Sequence, residues 1–210
     1  MPRVSWRKAA EELAARDPKL RAIALKAGPP RHRGPDPDGA FGALVRAIIF
    51  QQLAGKAAST IHGRMRALVK GDLTPKAVLK LSEEQLRGAG LSNNKYLAVK
   101  DFAAKVADGT VELDRVSKLS DEELIAELIT VRGIGRWTAE MFLMFELRRL
   151  DVWPVDDLGV QAGYGLMHGI ERPTAKQLAP LGDVYRPYRS VAAWYCYEAV
   201  HLSRGEITPR

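Results

Sequence analysis

The chain has 210 residues, enough for one large domain or two small lobes, with a substantial apolar core. Hydrophobic residues make up 46% and charged residues 27%, a composition typical of globular proteins and not of disordered ones. No apolar run reaches the ~18 residues that a membrane helix needs. The single cysteine, Cys196, excludes an internal disulfide and a cysteine-ligated zinc or iron–sulfur site. The first residues are charged throughout, unlike a secretory signal, and the single cysteine fits a reducing cytoplasm, which is where we expect the protein. We also expect a monomer.

The formal net charge is +7, and much of it lies near the N-terminus. Residues 1–34 carry nine Lys and Arg residues against three acidic residues. A basic balance favours a polyanionic partner, most often nucleic acid, although many basic proteins bind no anion. Charge alone therefore leaves two alternatives open, a protein that binds nucleic acid and a basic protein that binds no anion.

Apolar residues recur with helical spacing along almost the whole chain, which predicts an all-α fold. Residues 1–40 are predicted to form an N-terminal helical arm that ends in a linker rich in proline and glycine, from about residue 28. Residues 41–210 are predicted to form the main body. Its first helix shows a buried face that includes Leu44 and Ile48.

Two helix starts in the main body share one pattern. Ser82 is followed three residues later by Gln85, and Ser120 is followed by Glu123. This spacing predicts capping boxes, in which the two side chains satisfy backbone N–H groups at a helix start. We favour two independent caps over an internal repeat.

The most specific pattern is a Gly-x-Gly turn between two predicted helices. The first helix is predicted to end near Val131, and the second to begin at about Arg136. Gly133 and Gly135 allow a tight turn, and Ile134 between them is predicted to plug the two helices together. N–H groups at such a positive helix end are suited to a DNA phosphate. The alternative is an ordinary tight helix–helix turn.

This string, from Leu128 to Ala139, resembles the hairpin of the helix-hairpin-helix base-excision DNA glycosylases. The similarity is closest to the 3-methyladenine DNA glycosylase II branch and covers roughly Phe41–Arg204. It implies a two-lobed all-α fold with the active site in the cleft between the lobes. Bacterial members of that branch often carry an extra N-terminal β-domain, for which residues 1–40 are too short and too helical.

The resemblance also implies an essential aspartate after a loop that contains glycine or proline. Here that loop runs from Val152 to Val160 and contains both Asp156 and Asp157. The residues alone do not separate the two acids. The family spacing to Val160 selects Asp157 as the catalytic carboxylate, and Asp156 is interpreted as a cap of the following helix.

A single carboxylate is sufficient if the leaving base is already activated. Breaking an N-glycosidic bond builds positive charge on the deoxyribose, which a carboxylate stabilises while it orients a water molecule. Alkylated purines such as 3-methyladenine and 7-methylguanine are cationic and leave without a strong general acid. The sequence therefore predicts a hydrolase for alkylated bases in double-stranded DNA, with no catalytic cofactor.

A lysine is missing where bifunctional members of the resembled family form a Schiff base with the sugar. Trp137 occupies that position, two residues after the last hairpin glycine, and no lysine lies between Lys118 and Lys176. We therefore expect no lyase activity. Two alternatives stay open: a non-catalytic DNA-binding module, and a glycosylase for oxidised or mismatched bases.

Aromatic residues are candidates for the pocket that would hold an extruded base, because a cationic base is attracted to an electron-rich ring. The candidates are Trp137, Trp153, Trp194 and Tyr197. The last two lie in a segment similar to the family's final helix, where a tryptophan often occupies the place of Tyr197. Each ring except Trp137 fits a core position at least as well.

Further contacts are implied by the resemblance. Gln52, with Leu53 second, is the candidate wedge that fills the gap left by an extruded base; the alternative is a glutamine that caps or faces solvent. The candidate phosphate contacts are Gly133, Gly135, Arg136, Thr138 and Lys95. A structural Na⁺ or K⁺ is expected on the backbone carbonyls of Ile129, Val131 and Gly133.

Overall fold

The computed structural model describes residues 4–31 and 34–206, and within these ranges it contains twelve α-helices, short 3₁₀ and π turns, and no β-strand. The predicted all-α fold is confirmed. The helices are α1 (Trp6–Arg16), α2 (Pro18–Ala27), α3 (Gly39–Phe50), α4 (Gly55–Ala67), α5 (Pro75–Lys80), α6 (Glu83–Gly88), α7 (Asn93–Ala107), α8 (Asp121–Leu128), α9 (Arg136–Met141), α10 (Leu158–His168), α11 (Ala175–Leu181) and α12 (Arg189–Ser203). None of these helices is long and apolar enough to span a bilayer.

Side-chain caps fix where several helices begin. Both predicted capping boxes are confirmed, at Ser82 with Gln85 and at Ser120 with Glu123. In the first, the Gln85 Oε1 atom accepts the Ser82 N–H at 2.8 Å, while Ser82 Oγ accepts the Gln85 N–H at 3.1 Å. A third box at Thr174 begins α11. Such a cap contributes about 1 kcal/mol to helix stability.

The chain divides into two compact units, each described here by itself. Unit 1 comprises Met1–Arg33 and Leu143–Arg210, and unit 2 comprises Gly34–Phe142. The predicted helical arm contains α1 and α2, which pack on α12 inside unit 1. The predicted linker ends earlier than residue 40, because α3 begins at Gly39. The division drawn from the sequence at residue 40 remains a prediction.

The core of unit 1 is the crossing of α10 and α12. Gly163 of α10 lies so close to the α12 backbone that a Cβ atom there would come within 1.9 Å of the Cys196 carbonyl oxygen. Absence of a side chain at this position therefore sets the distance between the two helices. Cys196 itself is fully buried, and burial raises the pKa of its thiol, with a smaller contribution from the charge of Asp157.

The core of unit 2 forms where α3 packs on α4 and α7. The predicted apolar face of α3 is confirmed, because Leu44 and Ile48 are completely buried. Phe41 near the start of α3 stacks on Phe102 of α7 with ring centroids 5.0 Å apart. These contacts hold α3, whose last residue leads into the candidate wedge, against the helices that precede the hairpin.

Two glycine-to-alanine substitutions test the close approach of α10 and α12. Gly163→Ala should lower the free energy of unfolding by at least about 3 kcal/mol, because backbone must move to admit the methyl group. Gly63 is an exposed glycine inside α4 with open space at its Cβ position. Gly63→Ala should therefore raise the free energy of unfolding by roughly 0.5–1 kcal/mol. Urea unfolding of both variants is the measurement, and equal effects would contradict the described packing.

Candidate functional site

Asp157 is the N-cap residue of α10 in unit 1. Its Oδ1 atom accepts the Val160 N–H at 2.8 Å, and its own N–H donates to the Pro154 carbonyl at 3.1 Å. Only 7% of Asp157 is exposed, whereas Asp156 is exposed. The interpretation of Asp156 as the helix cap is therefore wrong: the carboxylate that reaches the third N–H of α10 belongs to Asp157.

The Asp157 carboxylate and the aromatic ring of Tyr197 both lie beside Gly159. A Cβ atom at Gly159 would lie 3.0 Å from Asp157 Oδ1 and 2.9 Å from Cε1 of Tyr197. Tyr197 is half-buried, and its ring centroid is 6.3 Å from that of the exposed Phe145. Glycine at position 159 therefore lets the ring of Tyr197 approach the start of α10, beside the candidate catalytic group.

The loop that leads to Asp157 is pinned to the start of α12. The Arg189 guanidinium binds both carboxylate oxygens of Asp151, at 2.8 and 2.9 Å. The next residue, Ser190, is completely buried, and its Oγ accepts the Val152 N–H at 2.9 Å. A bidentate charged pair and a buried hydrogen bond are among the stronger polar contacts. They fix the loop backbone five to six residues before the catalytic candidate.

Two of the four predicted pocket aromatics have the contacts of core residues. Trp153 is 7% exposed, its Nε1–H donates to the Leu178 carbonyl at 3.0 Å, and its ring lies 6.1 Å from that of Tyr185. Trp194 is also buried and packs edge-on against Tyr195 with centroids 5.0 Å apart. Their geometry favours the core alternative, and a pocket role for either ring remains a prediction.

The hairpin lies in unit 2 and has the predicted turn. α8 ends at Leu128, three residues before the predicted end, because hydrogen bonds between residues three apart tighten the chain up to Val131. Gly133 has φ +78°, a conformation that favours glycine, and Gly135 is the N-cap of α9. Ile134 is 4% exposed, which confirms its prediction as a buried plug.

Arg136, a predicted phosphate contact, is bound to carboxylates of its own unit. Its Nη1 and Nη2 atoms donate to Glu122 at 3.0 and 2.5 Å, and its Nε donates to Glu140 at 3.1 Å. Half of the Arg136 side chain is exposed. The pairing ties the start of α9 to α8, so a phosphate would compete with Glu122 for this guanidinium.

Lys95 and Thr138, two other predicted phosphate-binding residues, make hydrogen bonds within unit 2. The Lys95 Nζ atom donates to the Ile49 and Gln51 carbonyls at 2.5 and 2.7 Å, and burial lowers the pKa of this ammonium group. Thr138 is 6% exposed, and its Oγ1 accepts the Gln51 Nε2–H at 3.3 Å. These side chains support the end of α3 and the start of α9. Their contact with a phosphate remains a prediction.

The predicted wedge residues lie on an exposed turn directly after α3. The Leu53 N–H donates to the Phe50 carbonyl at 3.3 Å, which closes a turn that we call the wedge turn, residues 50–53. Gln51 has φ −52° and ψ 131°, and Gln52 has φ +55°. Glycine is the usual third residue of such a type II turn. A glutamine there carries roughly 1–2 kcal/mol of backbone strain that a glycine would avoid.

A cavity of about 610 Å³ in unit 2 joins the wedge turn to the hairpin. It is bordered by Phe50, Gln51, Gln52, Trp137 and Thr138, among others. Trp137 borders this cavity and is 46% exposed; its role as a ring of the base pocket remains a prediction. Gln51 was not among the predicted site residues. Its partners lie more than 80 positions away in the sequence, and no local pattern indicates them.

The predicted alkali-cation ligands include two carbonyls that already accept hydrogen bonds. The Val131 carbonyl accepts the Ile134 N–H at 3.0 Å, and the Gly133 carbonyl accepts the Gln51 Nε2–H at 2.9 Å. Within the described residues no group of three or more His, Cys, Asp or Glu side chains is arranged to hold a metal ion. The cation at Ile129, Val131 and Gly133 remains a prediction.

Residues 45–185 match the HhH-GPD superfamily of base excision DNA repair proteins, and the chain belongs to this family. The family prediction made from the hairpin is confirmed. The chain is 35% identical to DNA-3-methyladenine glycosylase 1 of Schizosaccharomyces pombe over 167 residues, which cover 78% of this chain and 73% of the relative.

Solved structures agree with this assignment. The fold is similar to that of the S. pombe 3-methyladenine DNA glycosylase Mag1 in complex with abasic DNA, with a TM-score of 0.82, 31% identity, and 97% of this chain and 100% of that chain covered. A DNA-3-methyladenine glycosidase from Bacillus halodurans gives a TM-score of 0.84 at 35% identity, covering 94% of this chain and 91% of that one.

Substitution of Gln52 should separate stability from activity. Gln52→Gly should raise the free energy of unfolding by about 1 kcal/mol relative to Gln52→Ala, because only glycine relieves the positive φ. Both variants lose the wedge side chain and should release bases from duplex DNA more slowly than the parent. Thermal unfolding and a base-release assay are the measurements. Equal stability of the two variants would contradict the strained turn, and full activity would exclude the wedge role.

Proposed function

We propose that the protein is a monofunctional DNA glycosylase that hydrolyses the N-glycosidic bond of alkylated, cationic purines in duplex DNA. The observation that carries the proposal is the Asp157 carboxylate, fixed at the N-terminus of α10 behind a pinned loop. The names of the relatives, DNA-3-methyladenine glycosylases, support alkylated purines as the substrate class. We take the protein to act as a monomer, in the compartment that holds the DNA.

Asp157 would act on the sugar. As the bond to the base breaks, positive charge develops at C1′ and the ring oxygen, and a fixed carboxylate stabilises that charge. The Val160 N–H holds one oxygen, so the group needs little reorganisation during the reaction. The same carboxylate would orient the water molecule that attacks C1′ and would accept its proton.

The base would leave without a general acid. An alkylated purine carries a positive charge that is neutralised when the bond breaks, so it departs as a neutral molecule. Aromatic faces attract the cationic base by roughly 0.5–2 kcal/mol. Trp137, half exposed at the unit 2 cavity, and Tyr197, beside the start of α10, are the rings whose surroundings fit this role.

Water, and not an amine, would be the nucleophile. The residue two positions after Gly135 is Trp137, where a Schiff-base lysine would be required for lyase chemistry. In unit 2, the Nζ of Lys95 donates to two backbone carbonyls and supports the fold. The proposed products are the free base and an abasic site.

Asp157→Asn removes the charge but keeps the cap, because asparagine and aspartate are equivalent N-caps. The free energy of unfolding should change by less than about 0.5 kcal/mol, while the single-turnover release of methylated purines should fall by at least about 100-fold. Affinity for an abasic duplex should persist. The released bases are identified by chromatography after incubation with duplexes that each carry one lesion.

Asp156→Asn is the matched control, since it removes one neighbouring exposed charge and should retain the activity of the parent. An Asp157→Asn variant as active as the parent would refute the mechanism. A parent that binds duplex DNA but releases no base from the panel would instead indicate a non-catalytic hairpin module. Release of oxidised or mismatched bases alone would reassign the substrate class.

A further inference from the structure

One side chain of unit 2 links the wedge turn to the hairpin. The Gln51 Nε2 atom donates to the Gly133 carbonyl at 2.9 Å and to Thr138 Oγ1 at 3.3 Å. Gly133 is the positive-φ residue of the hairpin, and Thr138 lies in the first turn of α9. A single amide therefore contacts both sides of the hairpin from the end of α3.

The backbone of Gln51 is held as well. Its carbonyl accepts the Lys95 Nζ at 2.7 Å, and the same ammonium group binds the Ile49 carbonyl at 2.5 Å. Carbonyls at the end of a helix lack partners within the helix, and a lysine that satisfies them fixes how the chain leaves it. Gln51 is thus clamped through its side chain and its backbone, immediately before the strained Gln52.

We propose that Gln51 is a positioning residue that sets the efficiency of base extrusion. It holds the wedge turn in register with the hairpin, so that a hairpin bound to a phosphate presents Gln52 to the base stack already in its strained conformation. This inference rests on the proposed function, because extrusion matters only if the protein acts on a base within a duplex. It assigns Gln51 no contact with the reacting atoms.

The strained conformation of Gln52 can be reached either before DNA binds or during insertion into the duplex. If the turn relaxed in the free protein, part of the binding energy would be used to restore φ +55° at Gln52 during insertion. A clamped turn is already in that conformation before DNA arrives, so this energy remains available for unstacking the base. Loss of the clamp should therefore slow reactions that require extrusion and spare reactions on a base that is already unstacked.

The test compares two duplexes that carry the same methylated purine, one opposite its normal partner and one opposite an abasic analogue. Gln51→Leu should reduce single-turnover release from the paired duplex by roughly tenfold, the effect of losing two hydrogen bonds. The reduction should shrink to less than about threefold on the unpaired duplex, where extrusion is easier. Thr138→Val, which removes only the longer bond, should give a smaller loss with the same dependence on pairing.

Gln85→Leu is the matched control, because Gln85 also makes a side-chain hydrogen bond, in the capping box of α6. It should lower the melting temperature without changing the ratio of rates on the two duplexes. A loss by Gln51→Leu that is equal on both duplexes, or no loss at all, would overturn the proposal.

A second readout needs no enzymatic activity. Amide hydrogen exchange in the free protein should be faster at Leu53 in Gln51→Leu than in the parent or in Gln85→Leu, since the Leu53 N–H closes the wedge turn. An unchanged exchange rate at Leu53 in Gln51→Leu would contradict the proposal that Gln51 holds the wedge turn. A parent that releases no methylated base would refute the proposed function, while the exchange measurement would still decide whether Gln51 holds the turn.

Discussion

The hydrogen bond from the Val160 N–H to Asp157 Oδ1 is the contact on which this account depends. It begins α10, the helix whose contact with α12 forms the core of unit 1. It also fixes a carboxylate where the helix N-terminus favours negative charge. The N-cap and the proposed catalytic group are thus the same side chain. Asparagine at this position separates the two roles, because it caps the helix equally well and carries no charge.

Local sequence patterns were sufficient for much of the site. The capping boxes, the Gly-Ile-Gly turn with its buried Ile134 and the apolar face of α3 each depend on residues a few positions apart, which the sequence displays directly. The choice of Asp157 over Asp156 came from the family spacing. The structure adds the physical difference, since one acid is a buried cap and the other is exposed.

Long-range pairing could not be predicted in the same way. Trp153 is chemically suited to a base pocket, but the Leu178 carbonyl, 25 positions away, holds its indole in the core. Lys95 resembles any surface lysine until the carbonyl at Gln51 is found 44 positions earlier. No local sequence pattern marks Gln51, because its side-chain partners, Gly133 and Thr138, are distant in the sequence and meet it only in the folded chain. The sequence therefore gives candidate side chains, and the tertiary contacts show which of them also support the fold.

The affinity of the protein for two synthetic duplexes measures whether Asp157 stabilises positive charge on the target sugar. One duplex carries a cationic pyrrolidine in place of the target sugar, which imitates the charge of the transition state, and the other carries a neutral tetrahydrofuran. The parent should bind the cationic duplex at least roughly 100-fold more tightly, and Asp157→Asn should lose that preference while binding the neutral duplex as the parent does. An Asp157→Asn variant that still prefers the cationic duplex would contradict the assignment of this carboxylate.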